Sequence, residues 1–260
     1  MKRLDVFEFE DFKWFPDFLR RDMMEYLRHF FTLTRYYAPV APILHQMLVR
    51  WQTDHIVDLC AGGGGPSLPL QQALSRQFGC RTVLSLTDLY PNRDSCRFHS
   101  RATPGTVRCI DDAVDATSVP QTLTGVRTIF SSIHHFDPPA VRQILSDATT
   151  KSQGIAVFDL GDRHWLLAVG IVILHPVLLV VLTPFFRPMR LSTLLFTYLI
   201  PLIPLFTVWD GVMSVLRLYE PAELLEIAKK IQPDRYDWQS GKLKNRLGLR
   251  VTYLVGFPKN

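Results

Sequence analysis

The feature that most constrains the fold is a glycine-rich turn between an apolar stretch and an amphipathic one. The chain passes from Ile56 and Asp58 through Gly62 to Gly65, and then places apolar residues at helical spacing over residues 67–78. Glycines let the backbone pass close to a ligand, and the N-terminus of the following helix faces that ligand. This order predicts the first strand and helix of a nucleotide-binding α/β sheet.

Two further acids follow apolar stretches in the same way. Residues 82–87 end at Asp88, and residues 107–110 are followed by Asp115. In such sheets the ligand binds outside the carboxyl ends of the strands, where Asp58 also lies. Acids after three successive strands are a more specific signal than one glycine loop, and they predict a shared binding edge.

This arrangement resembles the first motif of class I S-adenosylmethionine-dependent methyltransferases, in which two apolar residues and an acid precede spaced glycines. Asp58, Gly62 and Gly64 are in register with that motif, and Cys60 stands where its first glycine is usual. The resemblance implies that S-adenosylmethionine is the cofactor, with the second acid at the ribose hydroxyls and the third at the adenine amino group. The cofactor-binding residues implied in this way are Asp58, Cys60, Ala61, Gly62, Gly64, Asp88, Leu89, Asp115 and Ala116.

Two other interpretations are open. A dinucleotide-binding dehydrogenase fits less well, because Ser67 occupies the third glycine position of its Gly-x-Gly-x-x-Gly fingerprint. It also leaves residues 128–136 unexplained, a stretch that contains His134 and His135 and resembles the fourth strand of small-molecule methyltransferases. The second alternative is an α/β domain that kept the glycine turn without a cofactor.

Alternating strand and helix patterns over residues 54–160 predict a doubly wound parallel sheet. With two terminal strands, at 236–243 and 250–257, the resemblance implies the seven-stranded, Rossmann-like sheet of a methyltransferase, of α/β class. We expect an N-terminal helical cap at 1–50, a cofactor-binding core at 51–160, an inserted apolar helical hairpin at 161–219, and a helix and strands that complete the core at 220–260.

The expected hairpin consists of two long apolar stretches. Residues 165–182 and 191–209 contain no Asp, Glu, Lys or Arg, and a bilayer-spanning helix needs about 20 apolar residues. Pro176, Pro201 and Pro204 predict kinks, which membrane helices tolerate. Three arrangements are open: two membrane crossings, a hairpin that lies in or re-enters one leaflet, and an apolar lid or dimer interface of a soluble protein.

Two polar groups are candidate catalytic or substrate-binding residues. His134 and His135 follow the fourth apolar stretch, and histidine titrates near neutrality. One of them can act as general base, or the pair can simply fix the turn. At helical spacing Asp210, Ser214 and Arg217 share a face. Asp210 and Arg217 can hold a polar head group of the substrate, or they can form an ion pair that anchors the hairpin.

The charge limits the classes of binding partner that we expect, and the cysteine spacing bears on metal and redox sites. The net charge is +5 with dispersed Lys and Arg, which predicts no nucleic-acid partner and is compatible with an anionic membrane surface. The cysteines Cys60, Cys80, Cys96 and Cys109 lack metal-ligand or redox spacing. We therefore expect no metal site and reduced thiols.

Together these features predict methyl transfer from S-adenosylmethionine to a small lipophilic acceptor, with oxygen as the favoured acceptor atom. We expect a membrane-associated enzyme whose catalytic domain faces the cytoplasm and whose partners are this substrate and membrane lipid. The alternatives are a membrane-tethered adaptor that binds S-adenosylmethionine without catalysis, and a soluble small-molecule methyltransferase with an apolar lid.

Overall fold

The computed structural model describes residues 1–62, 64–151, 153–186 and 189–259. Its strands are β1 (His55–Leu59), β2 (Val83–Leu86), β3 (Val107–Cys109), β4 (Val126–Phe130), β5 (Ile155–Leu160), β6 (Tyr236–Lys244) and β7 (Arg250–Pro258). They form one seven-stranded sheet in the order β3-β2-β1-β4-β5-β7-β6. Strands β1 to β5 are parallel, whereas β7 is antiparallel to β5 and β6. The predicted doubly wound sheet is confirmed.

Helices cover both faces of this sheet. They are α1 (Asp17–Thr34), α2 (Ala41–Arg50), α3 (Ser67–Phe78), α4 (Arg93–Ala102), α5 (Pro138–Thr150), α6 (Trp165–Leu182), α7 (Leu191–Leu194), α8 (Leu202–Arg217) and α9 (Pro221–Ala228). One apolar core lies between the sheet and α2 and α3, and a second lies between the sheet and α5 and α9. A third core joins α1 to α6 and α8.

Helix α3 shows how local sequence fixes an element. Leu70 and Leu74 lie one turn apart and are buried, as is Leu68 in the first turn. The helix ends at Gly79, whose φ of +66° is the left-handed conformation that glycine adopts without strain. Both ends therefore match the residues that the pattern predicted.

The apolar insertion is only partly the predicted hairpin. Helix α6 begins and ends at the predicted residues, but the second stretch is broken into α7, a π-helical turn at Leu195–Leu199, and α8. The chain bends by 78° at this break, just before α8. Pro201, at the break, has no N–H to continue a helical ladder. Residues 187 and 188, in the turn of the expected hairpin, lie outside the described residues.

The outer face of α6 is apolar and exposed. Ile173 and Val177, one turn apart, are more than half exposed, whereas Ile171 is buried. Within the described ranges, the helix Trp165–Phe185 is long and apolar enough to cross a membrane. The two helical segments that follow, Leu191–Leu199 and Leu202–Arg217, meet the same test only if they are counted together as one bent span.

The cysteines differ from the expectation of four reduced thiols. Cys96 of α4 and Cys109 of β3 form a disulfide, because α4 packs against the strand that follows it. Cys60 and Cys80 are free. The expectation of four reduced thiols is therefore wrong for Cys96 and Cys109.

Candidate functional site

A cavity of about 320 Å³ opens at the carboxyl ends of β1 and β2, and we call it the loop cavity. Five of the predicted cofactor-binding residues line it: Cys60, Ala61, Gly62, Asp88 and Leu89. Side chains of α1 form the opposite wall. The glycine turn and the second strand end therefore meet at one site, as their order in the sequence predicted.

The glycine turn depends on left-handed backbone conformations. Gly62 and Gly64 have φ values of +56° and +88°, and Cys60 adopts +55° although it carries a side chain. A Cβ on Gly64 would lie 2.8 Å from side-chain atoms of both Leu68 and Leu86. Gly64 thus packs the turn against the sheet and is not itself part of the cavity wall.

Asp88 is held in place by backbone donors. Its Oδ2 accepts a hydrogen bond from the Gly62 N–H at 2.7 Å, and its Oδ1 accepts one from the Tyr90 N–H at 2.8 Å. Burial raises the pKa of this carboxyl group, and those backbone bonds oppose the rise. The carboxylate therefore ties the glycine turn to the end of β2 and faces the cavity.

Three predicted cofactor contacts lie elsewhere. Asp58 is buried beneath the turn, where it accepts a hydrogen bond from Thr128 Oγ1 at 2.7 Å, and burial raises its pKa to about 7. Asp115 is exposed and caps its own loop by accepting from the Thr117 N–H at 2.8 Å. Ala116 is buried in the core. Unlike Asp88, none of the three belongs to the described wall of the loop cavity.

A second cavity of about 650 Å³ lies between α1, α6, α8 and the ends of β4 and β5, and we call it the cap cavity. Most of its wall is apolar, with side chains from the cap and the insertion such as Phe30, Leu167 and Ile171. Its polar end includes Glu8 and His134.

The two cavities share a wall. The residues that line both are Glu10, Leu27, Phe31, Ser131 and His135. Ser131 follows β4 with a φ of +48°, and its hydroxyl hydrogen-bonds that of Tyr37. A molecule in one cavity is therefore separated from a molecule in the other only by this shared wall.

The histidine pair stands in a short helical turn, Ile133–His135, just after β4. His134 Nδ1 lies 2.9 Å from both carboxylate oxygens of Asp159, and His135 Nδ1 lies 2.7 Å from Asp11 Oδ1. Because a carboxylate only accepts, each Nδ1 carries the hydrogen and each Nε2 points away from its carboxylate partner. The two rings are thus fixed, with His134 Nε2 3.8 Å from Glu8 Oε1 and His135 Nε2 3.4 Å from Glu10 Oε1.

Acids dominate the surroundings of these rings. Burial alone would lower the pKa of His135, but Glu8, Asp11 and Glu10 raise it to about 10. Burial raises the pKa of Glu10 to about 8. These neighbours favour a protonated His135, a form that donates hydrogen bonds and cannot accept a proton. The general-base role predicted for this ring is therefore not supported in this state.

Asp210 and Arg217 do not pair with each other. Asp210 lines the cap cavity, but its two oxygens accept from the backbone N–H groups of Phe9 and Glu10, at 2.7 and 3.2 Å. Arg217 lies outside both described cavity walls and pairs with Glu8 at 3.1 Å. Both side chains hold the N-terminal segment on α8, which differs from the head-group role that the sequence suggested.

The N-terminal segment is the part of the site that sequence reasoning missed. Three acids, Glu8, Glu10 and Asp11, lie in or next to a short helical turn before α1. Each of them lies within 4 Å of His135. Their spacing in the sequence matches no ligand motif, and more than 120 residues separate them from the histidines. The one sequence signal that could have pointed to these residues is a cluster of acids in an otherwise aromatic segment.

Comparison with known proteins supports the fold. No protein-family model matches the chain, and no curated protein matches it. Among solved structures, the plantazolicin methyltransferase BpumL in complex with SAH has a TM-score of 0.55 at 11% identity, covering 92% of this chain and 90% of that one. The same enzyme with a monoazolic desmethylPZN analog and SAH has a TM-score of 0.56 at 11% identity, covering 95% and 93%. At such identity the likeness establishes a shared fold, so this chain has the Rossmann-like fold of the class I methyltransferases.

Proposed function

We propose that this protein transfers a methyl group from S-adenosylmethionine to an oxygen atom of a small lipophilic acceptor. The observation that carries the proposal is the pair of cavities, which meet at one wall formed by Ser131, His135 and three neighbours. Direct transfer of a group requires two bound molecules whose reacting atoms come within about 3.5 Å. Adjoining cavities of different chemistry suit that requirement.

The loop cavity fits the methyl donor. Gly62 lines it with a φ of +56°, a backbone conformation that residues with a side chain rarely adopt, and a Cβ there would lie 2.9 Å from Met24 Sδ. Asp88 presents a fixed carboxylate to hydroxyl groups, as the resemblance implies for a ribose. When bound, S-adenosylmethionine supplies an electrophilic methyl group on a sulfonium. BpumL, which shares the fold, is described with SAH bound.

The cap cavity fits a lipophilic acceptor with one polar end. Its side walls are mainly aliphatic and aromatic, while Glu8, His134 and His135 stand near the shared wall. An oxygen group placed at those residues would face the loop cavity, and the apolar remainder would lie along α1 and α6. The protein's own contribution is to bind, orient and exclude water from the acceptor.

We further propose that the outer face of α6 rests in a membrane leaflet. The side chains of Ile173 and Val177 are apolar, exposed and one turn apart, while Leu167 and Ile171 line the cap cavity. A helix that packs on the catalytic domain along its inner face suits a position in the plane of the interface. An acceptor dissolved in the membrane would then reach the cap cavity from its lipid side. The cytoplasmic orientation stays a prediction.

The decisive experiment combines binding and transfer. Purified full-length protein in detergent should bind S-adenosylmethionine in a calorimeter with one site per chain. With methyl-labelled S-adenosylmethionine and a lipid extract, the label should pass into the organic phase. Mild base should release the label if the product is a methyl ester and leave it in place if the product is an ether. Absence of cofactor binding would refute the proposal, whereas binding without any transfer to lipid or to lipophilic phenols and acids would favour the adaptor alternative.

A further inference from the structure

Three side chains at the polar end of the cap cavity form a cluster with the spacing of metal ligands. We call Glu8, His134 and His135 the triad; one ligand atom from each lies within 4.8 Å of the others. Glu8 Oε1 is 3.8 Å from His134 Nε2, and Glu8 Oε2 is 3.8 Å from His135 Nε2. These separations exceed hydrogen-bond distance. Ligands that each lie about 2.0 to 2.2 Å from one ion stand about 3 to 4 Å apart.

Both rings of the triad are oriented as metal-binding histidines are. A ligating histidine usually gives its other N–H to a carboxylate, which fixes the ring and its tautomer. Asp159 plays that part for His134, at 2.9 Å, and Asp11 plays it for His135, at 2.7 Å. In the neutral form of the rings, the lone pair of each Nε2 is on the side of Glu8, and His135 Nε2 also lies 3.4 Å from Glu10 Oε1.

Glu8 is itself fixed by contacts that leave a lone pair available. It is fully buried, Ser214 Oγ donates to its Oε2 at 2.7 Å, and Arg217 Nη1 lies 3.1 Å from its Oε1. Its carboxylate also accepts from the Asp11 backbone N–H in a capping box. A carboxylate has about four lone-pair positions, so these three contacts leave one for a further partner. The carboxylate is thus held facing the two imidazoles.

Acidic groups outnumber basic ones around the triad. Five carboxyl groups surround it, and they face a protonated His135 and the cationic side chains of Arg217, Arg3 and Arg20. The five are Glu8, Glu10, Asp11, Asp159 and Asp210. Buried anionic groups are costly unless a cation compensates them. A divalent ion at the triad would offset the excess.

We propose that the triad binds a divalent transition-metal ion such as Zn²⁺, with its open coordination positions facing the cap cavity. Two imidazoles and a carboxylate suit this class of ion, and three protein ligands with an open position are typical of catalytic sites rather than structural ones. Because histidine binds metals in its neutral form, the ion would take the place of a proton on these rings. If the proposed function is right, the open position is where an oxygen of the acceptor binds.

The test uses the full chain in detergent, stripped with a chelator and then titrated with Co²⁺ and, by equilibrium dialysis, with Zn²⁺. We expect one ion per chain and visible Co²⁺ absorption of a four- or five-coordinate site. Glu8→Gln and His135→Gln should each weaken binding at least tenfold, and Asp159→Asn about tenfold. A matched control is His45→Gln, which removes the imidazole 3.2 Å from the free Cys80 and should leave affinity unchanged.

Cofactor binding, measured by calorimetry on the same samples, shows whether each variant is folded and separates the two proposals. If the protein binds S-adenosylmethionine but no ion, or if Glu8→Gln and His135→Gln bind the ion as tightly as the original chain, the metal site is refuted and the proposed function stands. If the ion binds and S-adenosylmethionine does not, the proposed function fails alone. Loss of ion binding in His45→Gln would place the ion near Cys80 and would also refute the proposal that the triad binds it.

Discussion

The loop cavity and the cap cavity differ in how much of each wall is encoded locally. One side of the loop cavity comes from two short stretches, residues 60–66 and 88–92, while α1 and the turn after β4 supply the rest. The cap cavity takes its wall from at least four remote parts of the chain, represented by Glu8, His134, Ile171 and Leu249. The glycine-turn side of the cofactor site is therefore visible in local sequence, whereas the other side of that site and the whole acceptor site depend on how distant segments pack.

The comparison predicts that changes in one cavity spare the other. The largest effect is expected at the histidines of the shared turn. His134→Gln and His135→Gln should each lower turnover by about 10² to 10⁴, because a group that binds the reacting oxygen or moves its proton contributes that much. In His134→Gln, affinity for S-adenosylmethionine should change by less than threefold in calorimetry, because His134 is not in the described wall of the loop cavity, whereas His135 lines both cavities.

The matched control for those variants is His55→Gln, at the start of β1 and away from both cavities. It should keep full turnover. If both cavity variants lose less than threefold in rate, the pair has a structural role, and the cap cavity contains no chemistry.

The next effect concerns the outer face of α6. Ile173→Glu with Val177→Glu should release the protein from liposomes in a flotation assay, since burying an aliphatic side chain contributes about 1.5 to 3 kcal/mol and two lost side chains weaken partition by about 10² or more. Binding of S-adenosylmethionine should be unchanged, because neither residue lines the loop cavity.

The same chemical change on α2 is the control, because Val49 is also exposed but lies far along the chain from the apolar insertion. Val49→Glu should float as the original protein does. If the α6 variant floats equally well, Ile173 and Val177 are not the membrane contact.

A third prediction concerns Asp58, which lies beneath the glycine turn and outside the described wall of the loop cavity, and the pH dependence of stability. Asp58 has a pKa of about 7 in the folded protein against 3.8 for the free group. The folded chain therefore keeps a proton that the unfolded chain releases between about pH 4 and pH 7, and the free energy of unfolding falls as the pH rises through that window. The loss is of the order of a few kcal/mol, since one pKa unit corresponds to about 1.4 kcal/mol.

Asp58→Asn should remove this loss, so that urea denaturation at pH 5 and pH 8 gives more similar midpoints than for the original chain. Asp234→Asn, at an exposed position, should keep the original pH dependence. An Asp58→Asn variant with the original pH dependence would mean that Asp58 is ionised in the fold.

The smallest effect is expected at the wall of the loop cavity. Asp88→Ala should weaken S-adenosylmethionine binding at least tenfold, because hydrogen bonds to a charged group contribute about 1.5 to 3 kcal/mol each. Asp115→Ala should weaken it less, because Asp115 lies outside the described cavity wall. Calorimetry that finds equal losses would restore the adenine contact that the resemblance implies.

Much of the fold could be predicted because its signals are local. The Asp58 to Gly64 turn, helix α3 and helix α6 follow from residue order and spacing, and α6 has the bounds that its uncharged stretch predicted. The prediction that the second apolar stretch forms a single kinked helix was wrong. Composition alone cannot tell whether the proline at position 201 kinks a helix or ends it. Side-chain roles were harder to predict than elements.

The sequence by itself determined a doubly wound sheet, a glycine turn and Asp88 at one edge, because strand periodicity and glycine conformations act over a few residues. Only the tertiary structure decided that Glu8 meets His134 and His135, that Arg217 holds the N-terminal segment, and that Asp58 lies beneath the turn. Those contacts join residues distant in the chain, and packing rather than local preference brings them together.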